Sequence, residues 1–284
     1  MSSNNDSEWT RLLGSSLTTI YNSPRNEVGY AVTTGSDGSV YIAGIAGGHV
    51  FYGEHGSGPF IGKFDSDGTK VWTKLLENLT FNNAAYALTT GSDGSIYLAG
   101  GTRGNLNGQT NSGNSDAFVI RVKNLFAPTD ISLSSTSFNE NIVQIGNDIN
   151  GASLDDQFGT SVSLSADGKV LAIGAENSNS SKGLVSIYKN ENGAWVQIGE
   201  TIHGQHDQAY FGDALSLSSD GSILAIGSFG YDTSYEGGGG GRVQVYKNVN
   251  GEWTQVGQNL DGEAAGDDSG YSVSLSSDGS VVAI

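Results

Sequence analysis

Carboxylates are the residues of this sequence with the most chemical potential, and they recur. Asp155-Asp156, Asp207 and Asp267-Asp268 each stand a few residues ahead of a similar apolar segment. Carboxylates gathered at equivalent positions could attract a cation or a basic partner; as solvated loop charges in an acidic chain they would do nothing of the kind. A second acidic set, Asp167, Asp220 and Asp278, lies in repeated Ser-Leu-Ser-Ala/Ser-Asp-Gly runs. Calcium needs six to eight oxygens, and each run holds a single carboxylate, so Asp-Gly reads there as a tight hairpin turn. Asp65-Ser-Asp67-Gly68, with two carboxylates, reads the same way. His203-Gly-Gln-His206-Asp207 offers zinc-type ligands, but it falls between extended segments and no sister segment keeps it, so a metal is not expected. His49 and His55 flank a glycine-rich stretch and read as exposed variation.

Covalent catalysis finds little support. The chain has no cysteine and no G-x-S-x-G elbow. A glycosidase pair needs two carboxylates at a set separation, and 30 acidic residues make some such pair unavoidable by chance. No polar pair breaking the repeat pattern stands out. The Gly237–Gly241 run lacks the lysine and following helix of a phosphate loop. Trp72, Trp195 and Trp253 sit at positions shared between copies, which suits packing between repeats better than sugar stacking.

The elements that must position these groups are written in the repeats. Tyr30–Gly44 (YAVTTGSDGSVYIAG) and Tyr86–Gly100 (YALTTGSDGSIYLAG) agree at 12 of 15 positions, with a period of 56 residues. Glu8–Ser16 likewise matches Val71–Leu79. A second family aligns Phe158–Ala175, Phe211–Ser228 and Ser269–Ile284, and pairs Gly183–Gly199 with Gly241–Gly257. VQIG at Val143–Gly146 reads as the opening of that second array. Each unit contains four short segments of period-two alternation joined by Asp-Gly or Asn-Gly turns; in one unit they are Ser161–Leu164, Val170–Gly174, Leu184–Tyr188 and Trp195–Ile198. Tandem four-stranded meanders of this length predict an all-β chain of β-propeller-type blades, incomplete, with about four to five blades present. Glycine fills 43 of 284 positions, largely at these turns and strand ends.

These residues resemble known families. Residues 8–126 are similar to the SBBP-type bacterial propeller repeat through the SDGS-(aliphatic)-Y-(aliphatic)-AG core and the SDGTKVWTK strand. Residues 143–284 resemble the FG-GAP repeat of integrin-α-like propellers through Phe158-Gly159, Gly174-Ala175 and the Gly183…Ile187-Tyr188 strand. Ala127–Asn141 resembles the opening strand of bacterial cadherin-like domains. The division expected is therefore 1–126, a linker or borrowed strand at 127–142, and 143–284, cut at its C-terminus. Trp9–Leu13 could supply the strand that the blade ending at Val122 lacks. The FG-GAP resemblance implies calcium in a D-x-D-x-D-G loop, but that ligand set does not carry over to Asp167, Asp220 or Asp278, and no other cofactor is implied.

The resemblances imply interaction or adhesion: a non-catalytic scaffold whose variable loops, Ala46–Gly58, Thr102–Ser115 and Phe229–Gly241, contact a protein or glycan. The chain is then a fragment of a larger surface or secreted bacterial protein, although no signal peptide is visible. The formal charge of −17 and the 13 Lys and Arg residues argue against nucleic acid as partner. No apolar run is long enough to span a bilayer, so no membrane insertion is expected. The alternatives are a propeller hydrolase or lyase with a site at the channel mouth, or a fragment without independent function.

Overall fold

The structure, a computed structural model, describes residues 26–47, 57–76, 83–91, 93–104, 115–123, 142–153, 155–231 and 239–284. The strands build four antiparallel blades and the start of a fifth. Blade 1 is β1 (Asn26–Thr34), β2 (Val40–Gly47), β3 (Ser57–Phe64) and β4 (Lys70–Leu75). Blade 2 is β5 (Ala84–Thr90), β6 (Ile96–Thr102), β7 (Asp116–Val122) and β8 (Ile142–Gln144), with β9 (Ile149–Asn150) also on β7. Blade 3 is β10 (Ser161–Leu164), β11 (Val170–Ala175), β12 (Leu184–Glu191) and β13 (Ala194–Gln197), with β14 (Ile202–His203) also on β12. Blade 4 is β15 (Leu215–Leu217), β16 (Ile223–Ser228), β17 (Arg242–Val249) and β18 (Glu252–Gln255), with β19 (Leu260–Asp261) also on β17. A hairpin of β20 (Ser274–Leu275) and β21 (Val282–Ala283) begins the next blade. Among the described residues the only non-β element is a single turn at Ser178–Ser181.

Alternating side chains bury each blade against its neighbour, as period-two patterning requires. One cluster joins Ala43 and Ile61 of blade 1 to Leu98, Phe118 and Ile120 of blade 2. A second joins Tyr97 and Val119 of blade 2 to Val162, Leu171 and Ile173 of blade 3. A third joins Val185 and Ile187 of blade 3 to Leu217, Leu224 and Ile226 of blade 4. Each such fully buried aliphatic side chain is worth ~1.5–3 kcal/mol of transfer free energy. First strands pack in succession, β1 on β5, β5 on β10, β10 on β15 and β15 on β20, so both repeat families belong to one continuous stack.

The blade seams explain two of the recurring motifs. Gly174 lies against Gly212, and Gly227 against Gly270; a Cβ on Gly174 or Gly227 would collide with the facing glycine's carbonyl oxygen. The Gly-Ala or Gly-Ser of one blade is thus matched to the Phe-Gly or Ser-Gly that opens the next. The outer strand carries the second motif. Between Gln144 and Ile149, Gln197 and Ile202, and Gln255 and Leu260 the outer strand gains two residues on its partner, a bulge turned at Gly146, Gly199 and Gly257, all with φ near +70°. A glutamine before each bulge reaches across it to the fourth residue on, as Gln144 to Asp148 (2.7 Å), Gln197 to Thr201 (3.0 Å) and Gln255 to Asn259 (2.8 Å).

That bulge corrects one reading. Val143–Gly146 does not open the second array; it is the outer edge of blade 2, with β8 pairing to β7. The stretch 127–142 therefore connects two strands of one blade, and its last residue begins β8. The place open to Trp9–Leu13 in that blade is taken by β8; Trp9–Leu13 and Ala127–Asn141 themselves lie outside the described residues. The four segments expected in blade 3 are all strands, within a few residues of their expected ends. Trp195 donates from Nε1 to the Ile145 carbonyl of blade 2 (2.8 Å), and Trp253 lies over Gly199 of blade 3, which are contacts between blades.

Candidate functional site

The strand order gives each blade two unlike ends. One end carries the β1–β2 and β3–β4 types of hairpin turn. There Asp37, Asp93, Asp167, Asp220 and Asp278 each accept the backbone N–H two residues on, at 2.9–3.0 Å, with the following glycine at positive φ. Serine hydroxyls add to this: Ser218 donates to Asp220 and Ser276 to Asp278, both at 2.7 Å. Ser218 and the Ser222 N–H hold the Asp220 carboxyl below the usual carboxylate range, and Ser276 and Ser280 take Asp278 down to about 2. Asp37 pairs with Lys63 (3.1 Å) and Asp93 with Arg121. Asp65 and Asp67 both accept the Thr69 N–H (2.8 Å), again around a turn glycine, Gly68. The calcium loop that the FG-GAP resemblance implies does not fit the repeated runs: Asp167, Asp220 and Asp278 are each the single carboxylate of their run and already cap their own turn.

The other end carries the second-to-third strand loops and the links between blades. All three variable loops leave from it; their central parts lie outside the described residues. The recurring acidic residues also lie here, and each has a local environment of its own. Asp156 is 3% exposed and folds the link back on itself, Oδ1 accepting from the Phe158 N–H and Oδ2 from the Ser153 N–H, both at 3.1 Å. Asp267 repeats half of that, accepting the Ala264 N–H (2.7 Å). Their counterpart in the intervening link is Ala209, which is buried. Asp207 pairs with Lys182 (3.4 Å), Asp155 is exposed, and Asp268 is an exposed residue at φ 52°. Among the described residues no three acidic or histidine side chains gather around a common point that could hold a metal. His203 lies in β14, and His206 sets its ring edge-on to Tyr231 (4.7 Å, 84°) rather than joining Asp207.

The sequence reading missed a pair that the seam creates. Because Gly174 and Gly212 touch, the residues just beyond them, Glu176 and Asp213, meet at the junction of blades 3 and 4 and share a hydrogen bond. Burial, together with Asp213 alongside, pushes the Glu176 carboxyl up to about 8, so at neutral pH it holds a proton. Both side chains are half-buried.

Aromatic rings flank this pair at the same end. Tyr30 and Tyr86 are the unpaired residues of matching bulges in β1 and β5, and their rings meet at 5.2 Å. On the far side Tyr210 stacks on Phe229 (5.0 Å, 11°), and Tyr271 meets Phe229 edge-on (5.7 Å, 78°). Tyr30, Tyr86, Thr160, Asp213 and Tyr271 hold one position in successive repeats, within or just ahead of each blade's first strand. The available signal was therefore the single acid in an otherwise tyrosine and threonine column.

No family model matches this chain, and no curated protein matches it. Among solved structures it is similar to the periplasmic gluconolactonase PpgL of Pseudomonas aeruginosa, with 15% identity and a TM-score of 0.48, over 83% of this chain and 57% of that one. It is also similar to the β-propeller domain of the Trilobed protease from Pyrococcus furiosus, a propeller of open velcro topology. That match has 12% identity and a TM-score of 0.41, over 82% of this chain and 58% of that one. The chain spans somewhat more than half the length of each. The blade architecture is read from the strand pairing and the repeat period.

Proposed function

We propose that this chain is a non-catalytic platform that binds a protein or glycan at the loop-bearing end of its blades, as an adhesive part of a larger surface or secreted bacterial protein. The observation that carries this reading is the segregation of variation. The turn end repeats the same Asp-Gly chemistry blade after blade, while the opposite end gathers the variable loops, the Tyr210–Phe229–Tyr271 aromatic group and the Glu176–Asp213 pair. A repeat scaffold concentrates recognition where copies differ. Tyr271 is 70% exposed, an aromatic face open to a ligand. No helix of the described residues is long and apolar enough to cross a membrane.

The test is a glycan array and a surface-protein panel read with wild type and with the Phe229→Ala/Tyr271→Ala double variant. Capture by the wild type, lost in the variant, with no turnover of the captured ligand, supports the reading. Hydrolysis of a captured glycan that Glu176→Gln abolishes would overturn it in favour of an enzyme at the same end.

A further inference from the structure

In a repeat protein the sister copies separate architecture from its exceptions: what every blade carries serves the stack, and what one blade carries is surplus to it. The junction of blades 3 and 4 holds a polar recess of about 130 Å³ lined by His203, His206, Tyr231, Arg242, Gln244 and Asn259 among others. At the junction of blades 2 and 3 the register puts Asn150 and Ser153 in place of the two histidines. It puts Leu184, Ser186 and Thr201 in place of Arg242, Gln244 and Asn259. The fold therefore closes that seam without this set of side chains.

Their chemistry is specific. The Arg242 guanidinium is held by both carboxylate oxygens of Asp261 and lies 3.6 Å from the Tyr231 ring centre, so its charge is met inside the protein. An amide relay runs from Gln244 Nε2 to Gln255 Oε1 (3.0 Å) and from Gln255 Nε2 to Asn259 Oδ1 (2.8 Å). This direction leaves a carbonyl acceptor at the Gln244 end and an amide donor at the Asn259 end, neither bonded to another described residue. The imidazole nitrogens of His203 and His206 likewise make no hydrogen bond with any described residue. A charge-balanced recess edged by acceptors, donors and a tyrosine ring complements a neutral ligand whose adjacent hydroxyls both donate and accept. At ~30 Å³ of liquid volume per water the recess holds about four waters, enough to seat one edge of a pyranose ring.

We infer that the recess between blades 3 and 4 is a binding subsite for a neutral monosaccharide unit, held through paired hydroxyls by Gln244, Asn259 and the two histidines. This rests on the glycan branch of the proposed function and gives it a place and a ligand class. The experiment is a titration of histidine-labelled protein with a panel of neutral methyl pyranosides, read by NMR. The chain has four histidines, and His203→Gln and His206→Gln variants assign the resonances of the two recess histidines. Saturable shifts at His203 and His206 with at least one pyranoside, weakened tenfold or more by Asn259→Ala and by His206→Ala, support the site. Unchanged spectra elsewhere in each variant show that it folds. No saturable shift with any pyranoside overturns it, as do equal shifts with glycerol, or shifts with phosphate or acetate alone, which would make it an anion site. If the wild type binds glycans on the array and Asn259→Ala binds them equally well, the recess falls while the platform stands.

Discussion

The two ends of the blades were built from similar residues and put to opposite uses. At the turn end, Asp37, Asp93, Asp220 and Asp278 sit beside glycines and serines and spend an oxygen on their own backbone, and their carboxyls are held down. At the loop end, Glu176 meets another acid across a glycine seam, and its carboxyl is pushed up to about 8. The same functional group stabilises one end and costs stability at the other. What separates the two cases is the partner, a backbone N–H against a second carboxyl. A carboxyl pair that penalises folding and is found in one blade only is the kind of feature a binding surface retains.

The contrast can be broken most severely at the seam. Gly174→Val places a side chain into the Gly212 backbone, where nothing flexible can yield, and should cost ~3 kcal/mol or more, read as a lowered denaturant midpoint or loss of folded protein. The variant should also separate Glu176 from Asp213. An unshifted midpoint would mean the blades are not in contact there.

Glu176→Gln tests the loop end directly. The folded-state pKa lies above the ordinary 4.5, so the folded chain binds the extra proton between those values, and wild-type stability falls as pH rises from about 4.5 to about 8. After allowance for solvent screening, the glutamine variant should be more stable by ~1–2 kcal/mol above pH 8 and equal to wild type near pH 4. Thermal melts across that range check it, and equal profiles for the two proteins would remove the carboxyl pair. Asp220→Ala is the mirror experiment. Its carboxyl is held low, so its contribution is present above the unfolded value of ~3.9 and lost as pH falls below that. Removing it should cost about 1 kcal/mol at neutral pH and progressively less in acid. Tyr271→Ala should be the mildest for folding, within about 0.5 kcal/mol, because the ring is exposed, while ligand capture falls. A large stability loss there would assign the ring to packing.

Much of the architecture was legible along the chain because its causes are local. Asp-Gly and Asn-Gly mark turns through positive φ, and alternation marks which side chains face a neighbouring blade; Ser161–Leu164 was readable to the residue on those grounds. Val143–Gly146 was assigned to the wrong side of a boundary because its β-bulge, the actual meaning of VQIG, is visible only when β8 is seen paired to β7. The recurring aspartates suggested a shared site from sequence order. Yet Asp156 turned inward to its own backbone while Asp207 reached Lys182, since each link has its own length and partners.

The sequence by itself determined the repeat period, the all-β character, the turn positions and the segregation of variable loops, all consequences of neighbours along the chain. Only the tertiary structure decided which exceptions meet. Glu176 and Asp213, like His206, Tyr231 and Arg242, come from different blades or different strands, and they are brought together by how closely glycine-lined seams let one blade stack on the next. That stacking depends on close packing between elements far apart in sequence, which no local pattern encodes.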